Sequence, residues 1–462
     1  MSTADSHGTI RLSDVVSALS LALDLTEGQP MGHSIRSCIL GMRIAEELQL
    51  AVGDRHDLYY ALLLKDSGCS SNAARLHQIM GSDEIRAKSE VKFEDWTKVS
   101  ISGTRYLMRN VLPGAPFWRR AVRMAQVGLQ LKRNNAELIG ARCERGAEIA
   151  RKIGLNENVA QAIRALDEHW NGNGYSEGRS GKEIPQLAQI MNVSQTLEVF
   201  ASRSGPAAAV KVISERSGSW FDPEIAAVVR SLKHDKALWR QISAANAREF
   251  VLEMEPGVAV AASPERIDSL CEAFAQVIDA KSAYTFHHSV GVTAAAVEIA
   301  QGLALSPGMI TLVRRAALLH DIGKLSVSNA ILEKPGKLDD AEWKIMKMHP
   351  MYTRIILEKI SGFEHLAFIA GAHHERLDGS GYPNGLTATD LTLPARIIAV
   401  ADIFQALSEK RPYRDSLPLE VVLGIMEKDV PHRLDTKCFE VLKKRITQSD
   451  RQELRKGQAA GV

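Results

Sequence analysis

Seven side chains in the second half of this chain are of types that hold transition metals: His288, His320, Asp321, His349, His373, His374 and Asp402. Eight of the fourteen histidines lie after residue 286. Their settings are unusual for charged or polar groups. His320 and Asp321 end the apolar stretch VRRAALL, and Asp402 interrupts RIIAVADIFQAL. A carboxylate on a buried helical stripe is costly unless it is paired or coordinated. A metal ion supplies that partner, and Asp321 has the two oxygens needed to bridge a pair of ions. Mixed imidazole and carboxylate donors suit iron, manganese or zinc better than magnesium or calcium. Two adjacent ions activate water at neutral pH and polarise a phosphoryl oxygen, which is the chemistry of phosphodiester hydrolysis. Lys324 follows Asp321 by three residues and shares its face if the helix continues, so its ammonium is a candidate phosphate contact. His287, His365 and His432 read as ordinary histidines.

Competing catalytic patterns are missing from the sequence. It has no GxSxG, Walker loop or dinucleotide fingerprint. Cys69, in SGCSS, has no neighbouring base to activate it. The DGSGYPNG turn (378–385) is not a calcium loop, because its twelfth position is Thr389 where a glutamate is required.

The elements that must carry these groups read as helices throughout. LSDVVSALSLALDL, ELIGARCERGAEIARKIG and ITLVRRAALLHDIG repeat apolar residues every three or four positions, and no period-two strand pattern stands out. The 462 residues allow two or three domains. With 57 basic against 55 acidic residues, the chain has no strongly basic face, and nucleic acid is not an expected partner. No apolar run approaches the length of a membrane span. Five scattered cysteines, with no CxxC pair, and an N-terminus without an apolar core fit a cytoplasmic protein. MEPGVAVAASPE reads as a linker, giving domains at 1–240 and 265–446, a linker at 241–264 and a flexible tail at 447–462.

The two halves repeat one another. GHSIRS around His33 matches HHSVGV around His288, and LLLKDSG around Asp66 matches LLHDIGK around Asp321, with 33 residues between the landmarks in each copy. NGNGY ending at Tyr175 matches GSGYP at Tyr382, and Gln195 and Asp402 each follow their tyrosine by 20 residues. In the first copy Lys65 stands for His320, Arg142 for His349, Leu166 and Asp167 for the histidine pair, and Gln195 for Asp402. Lysine and arginine in place of ligands repel a cation. The first half is therefore expected to bind no metal, and to be a scaffold or a regulatory domain.

HDIGK (320–324), KMHP (347–350), HHERLDGSGYP (373–383) and AVADIFQAL (399–407) resemble the HD-GYP family, a subgroup of the HD phosphohydrolase superfamily. The resemblance covers about residues 265–446. It implies an all-α fold, here two tandem helical-bundle HD-type domains, and hydrolysis of a cyclic dinucleotide: cyclic di-GMP to pGpG or GMP, or a related messenger containing adenine. By position it implies that the seven residues above are ligands, with Asp321 bridging, and that Lys324 contacts the substrate phosphate. It also implies that Asp378, Gly379, Gly381, Tyr382 and Pro383 shape the substrate pocket or a surface for other signalling proteins. Relatives with a third metal carry a glutamate one turn before the first histidine. Tyr284 stands there, so two divalent ions, iron or manganese, are expected. A homodimer is compatible with this reading. The alternatives are a mononucleotide phosphohydrolase and a non-enzymatic adaptor acting through the GYP loop.

Overall fold

A computed structural model describes residues 10–95, 101–175, 177–282, 287–410 and 415–459. Tyr284 lies outside the described residues. Those residues form α-helices and short 3-10 turns, with no strand among them. No described helix is long and apolar enough to cross a membrane. The chain divides into two units, the first of residues 1–273 with Ser328–Ala330, the second of residues 274–327 and 331–462.

In the first unit, helices Leu12–Thr26, His33–Glu47, Val52–Leu64 and Gln186–Ser204 pack together. In the second, His288–Gly302 packs on Pro307–Leu319 and Leu393–Ser408, and His349–Leu357 packs on Glu364–Gly371. Local sequence sets the ends. Pro307 occupies the first turn after Ser306, whose hydroxyl accepts from Met309 N. Ala395, Ile397, Ile398, Val400 and Ala401 are all buried, so Leu393–Ser408 is apolar nearly all round and runs through the core. That position is what buries Asp402.

The repeat is visible as matching contacts. A Cβ on Gly68 would lie 1.9 Å from Arg142 O, and a Cβ on Gly323 would lie 1.9 Å from His349 O. Arg142 and His349 thus occupy the same place in the two units. Glu168 accepts from the backbone of Glu177 and Gly178, while Glu375 accepts from Asn384 and Leu386. Each glutamate clamps its own glycine-rich loop. Tyr175 N and Tyr382 N each donate to the carbonyl eight residues earlier, of Asp167 and His374.

A further matched pair was not recognised from the sequence. Asp24 and Asp279 precede His33 and His288 by nine residues, and each accepts from the backbone and hydroxyl of the serine directly after that histidine, Ser34 or Ser289. Burial pushes Asp24 up to about 7 against the hydrogen bonds and the Lys65 charge that favour ionisation. A raised folded-state value means that this group's contribution to stability is full below the ordinary carboxylate range. It is lost as pH rises through about 7. Urea unfolding at pH 5 and pH 8 is expected to show wild type losing stability relative to Asp24→Asn at the higher pH. An unchanged difference between the two proteins would contradict this.

Two boundaries differ from those expected. The segment 241–264 is not a free linker: it contains helix Ala247–Glu253, and its backbone pairs with the start of the chain through Leu12 N to Val260 O and Ala262 N to Ile10 O, both 2.8 Å. Tyr60 Oη and Ser13 Oγ also donate to Glu255. Glycine, proline and alanine there mark turns that are anchored. The division between units falls inside helix Pro264–Asp279. Residues 447–459, read as a flexible tail, continue the helix Thr436–Ala459.

Candidate metal centre

The side chains singled out in the second half converge. His320 and Asp321 follow the C-terminal end of Pro307–Leu319, His288 opens its helix, His349 opens another, and His373 and His374 follow Glu364–Gly371. Asp402 comes from the middle of the core helix. All are buried except His374, which is about a quarter exposed.

Two carboxylates organise the imidazoles into two groups. Asp321 Oδ2 lies 3.2 Å from His320 Nε2 and 3.6 Å from His288 Nε2. Its other oxygen, Oδ1, lies 3.4 Å from His349 Nε2 and 3.5 Å from His373 Nε2. Asp402 spans in the same way, with Oδ1 3.1 Å from His288 Nε2 and Oδ2 3.6 Å from His374 Nδ1. The side chains form two compact donor groups, His288–His320–Asp321 and His349–His373–His374.

The outer nitrogens fix the tautomers. Nδ1 of His320, His349 and His373 each faces the carbonyl three residues earlier, of Ala317, Met346 and Ala370, at 2.6–2.7 Å. His288 Nδ1 lies 3.0 Å from Glu409 Oε2. A carbonyl can only accept, so Nδ1 of those three rings carries the proton and their Nε2 lone pairs point into the cluster, as metal ligation requires. His320 Nε2 and Asp321 Oδ1 are buried with no hydrogen-bond partner among the described residues. Orphaned acceptors of this kind are expensive unless a cation is held there. Burial pushes His349 down to about 3, keeping it neutral. Burial works against ionisation of Asp321, but His320 and Lys324 outweigh it and hold the carboxylate well below its usual range. Ionised carboxylates and neutral imidazoles are the states a divalent ion needs, and His288, which despite its burial Asp402 and Glu409 raise to about 9, would release a proton to become one. The donor set therefore fits two such ions.

The remaining expected residues divide. Lys324 Nζ lies 2.6 Å from Asp321 Oδ2, at the edge of the cluster. The Tyr382 ring sits 4.8 Å from the His374 ring and 6.1 Å from that of Trp343, which brings the GYP loop against the donor cluster. Asp378, Gly379 and Gly381 instead shape the loop. Asp378 accepts from Ser380 N and Oγ and pairs with Arg433. Gly379 has φ +75°, a left-handed conformation that favours glycine. A Cβ on Gly381 would strike the backbone of Glu375 and Arg376 at 2.5 Å. Pro383 is exposed. Glu409, Glu375 and Trp343 were missed from sequence. Glu375 had a signal, since it directly follows the histidine pair, whereas Glu409 had none.

In the first unit the counterpart positions hold fixed cations. Lys65 pairs with Asp66 and Arg142 with Asp167. A third donor group, Glu27–Asp66–Cys69, is present. Glu27 there already has Lys88 at 3.2 Å and Lys92 at 3.1 Å. Burial raises the Cys69 thiol well above its usual range, so it is a poor nucleophile as well as a poor ligand.

The HD domain family description matches residues 119–225 and 272–438, one stretch in each half. A 3'3'-cGAMP-specific phosphodiesterase 3 of Vibrio cholerae is 42% identical over 444 residues, 95% of each chain. The cyclic di-GMP phosphodiesterase response regulator RpfG of Xanthomonas campestris is 40% identical over 149 residues, 31% of this chain and 39% of its own. The crystal structure of a cyclic GMP-AMP specific phosphodiesterase of V. cholerae, V-cGAP3, matches with a TM-score of 0.67 and 38% identity, covering 95% of this chain and 98% of that one. With both halves matched by one family and a relative aligned almost end to end, the chain belongs to the HD domain family, in its HD-GYP branch, and carries a degenerate HD-GYP-like repeat ahead of the complete one.

Proposed function

We propose that this protein is a metal-dependent phosphodiesterase that hydrolyses a cyclic dinucleotide, with the reaction confined to the second unit. The observation that carries this reading is the division of Asp321 and Asp402 between two imidazole groups. When bound, a pair of divalent transition ions supplies an activated water and a Lewis acid for the phosphoryl oxygen. Iron or manganese suits the donors. The side chains do the rest. His288, His320, His349, His373 and His374 would hold the ions through their ring nitrogens, with Asp321 as a shared carboxylate and Asp402 beside His288 and His374. Lys324 sets a positive charge beside the cluster, where a phosphodiester oxygen would develop charge. Tyr382, lying against His374, forms a wall for the substrate.

Two substrates are supported unequally. The relatives named for cyclic di-GMP align over about half of this chain or less. Of three relatives named for 3'3'-cGAMP, two align over 50% and 30% of it, but one aligns along 95%. We therefore favour 3'3'-cGAMP over cyclic di-GMP. Competition between the two, with products separated chromatographically, is expected to give the larger kcat/KM for 3'3'-cGAMP. A preference for cyclic di-GMP would reverse the substrate assignment and leave the phosphodiesterase reading intact.

A further inference from the structure

The first unit contains a cavity of about 350 Å³, within the range of small-molecule sites. Its wall includes Arg142, Asp167 and Gln195, the residues that replace His349, His374 and Asp402 in the repeat. The cavity therefore lies where the complete copy has its catalytic cleft. Lys65, the other substituted cation, pairs with Asp66 and does not line it.

Two features of the wall call for a ligand. Lys92 Nζ is ion-paired with Glu27 at 3.1 Å, and its ammonium has further N–H donors to offer. Asn72 Oδ1 is buried with no donor among them. Lys88 shares Glu27 with Lys92, so two ammonium groups face one carboxylate. The Glu27 and Asp66 carboxylates near Arg142 offset its burial and keep it charged. The wall also has apolar side chains, among them Leu107, Leu138 and Val199, and Tyr106 adds an aromatic ring. Glu27 and Asp167 on the same wall already pair with the cations, and the half-exposed Glu94 and Asp95 add two more carboxylates, which disfavours a highly charged polyanion.

We propose that this cavity binds a nucleotide without metal, its phosphate held by Lys92 and Arg142 and its base lying on the apolar side chains with an N–H edge toward Asn72. Fixed ammonium and guanidinium groups take the charge-neutralising part that ions play in the second unit. They hold a phosphate ester but do not activate water, so the ligand is bound and not cleaved. The carboxylates limit the class to one or two phosphate charges, which includes mononucleotides and cyclic dinucleotides and excludes nucleic acid strands.

The test is calorimetry on the full chain in excess chelator, with GMP, AMP, 3'3'-cGAMP, cyclic di-GMP and inorganic phosphate as separate probes. At least one nucleotide is expected to bind at one per chain, much more tightly than phosphate. Arg142→Met is expected to weaken it by about tenfold or more, the loss of a charge-assisted hydrogen bond. Gly128→Trp leaves the ion pairs alone: Gly128 lies on the cavity wall, and a Cβ there meets nothing within 4 Å. It is expected to block binding, and it decides the matter if Arg142→Met does not fold. Absence of nucleotide binding, phosphate binding as tightly as the nucleotides, or binding unaffected by Gly128→Trp would each overturn the proposal.

Discussion

Asp321→Ala is expected to lower turnover of the cyclic dinucleotide by roughly 10³-fold or more, because a metal pair supplies several kcal/mol of transition-state stabilisation. Metal content is expected to fall with it, from about two ions per chain toward one or none. The reason is geometric. Asp321 offers one oxygen to His288 and His320 and the other to His349 and His373. Removing it takes a ligand from both groups. Elemental analysis and product formation on the same sample check both parts. Full metal content in an inactive variant would mean that Asp321 acts on substrate and not as a shared ligand. Asp66→Ala, at the matching position of the first unit, is expected to leave metal content unchanged, since Lys65 already neutralises Asp66.

Lys324→Ala is expected to separate chemistry from metal binding. Its ammonium lies 2.6 Å from Asp321 Oδ2, at the edge of the cluster. A charge-assisted contact to a phosphoryl oxygen contributes about 1.5–3 kcal/mol, so turnover should drop roughly 10- to 100-fold. Metal content should hold, because an ammonium is not a ligand and its loss relieves repulsion of the ions. Loss of the ions from this variant would instead assign Lys324 to keeping Asp321 in position.

The residues that converge in the second unit were legible because they violate local expectation: charged or polar residues on apolar helical stripes, with spacings repeated in the first half. The helical fold was legible from apolar periodicity. What fixes the imidazoles was not. The carbonyls of Ala317, Met346 and Ala370 carry no sequence signature, since every residue has a carbonyl. Glu409 meets His288 across 121 residues. Asp24 and Asp279 could have been found by extending the repeat nine residues back from each histidine. The linker was misjudged because turn-forming residues look alike whether free or anchored, and Glu255 and Val260 are anchored by partners near the N-terminus. For the loop, its residues were foreseen but their division of labour was not: Tyr382 meets the cluster, whereas Asp378, Gly379 and Gly381 hold the turn.

The most direct test of the central claim is hydrolysis of labelled 3'3'-cGAMP and cyclic di-GMP by the full chain, with metal content counted in each sample. Protein loaded with iron or manganese to about two ions per chain should convert at least one of them to a linear product. Chelation should abolish the activity and reloading should restore it. A fully loaded, folded protein that cleaves neither dinucleotide, or activity that survives complete removal of metal, would contradict the account.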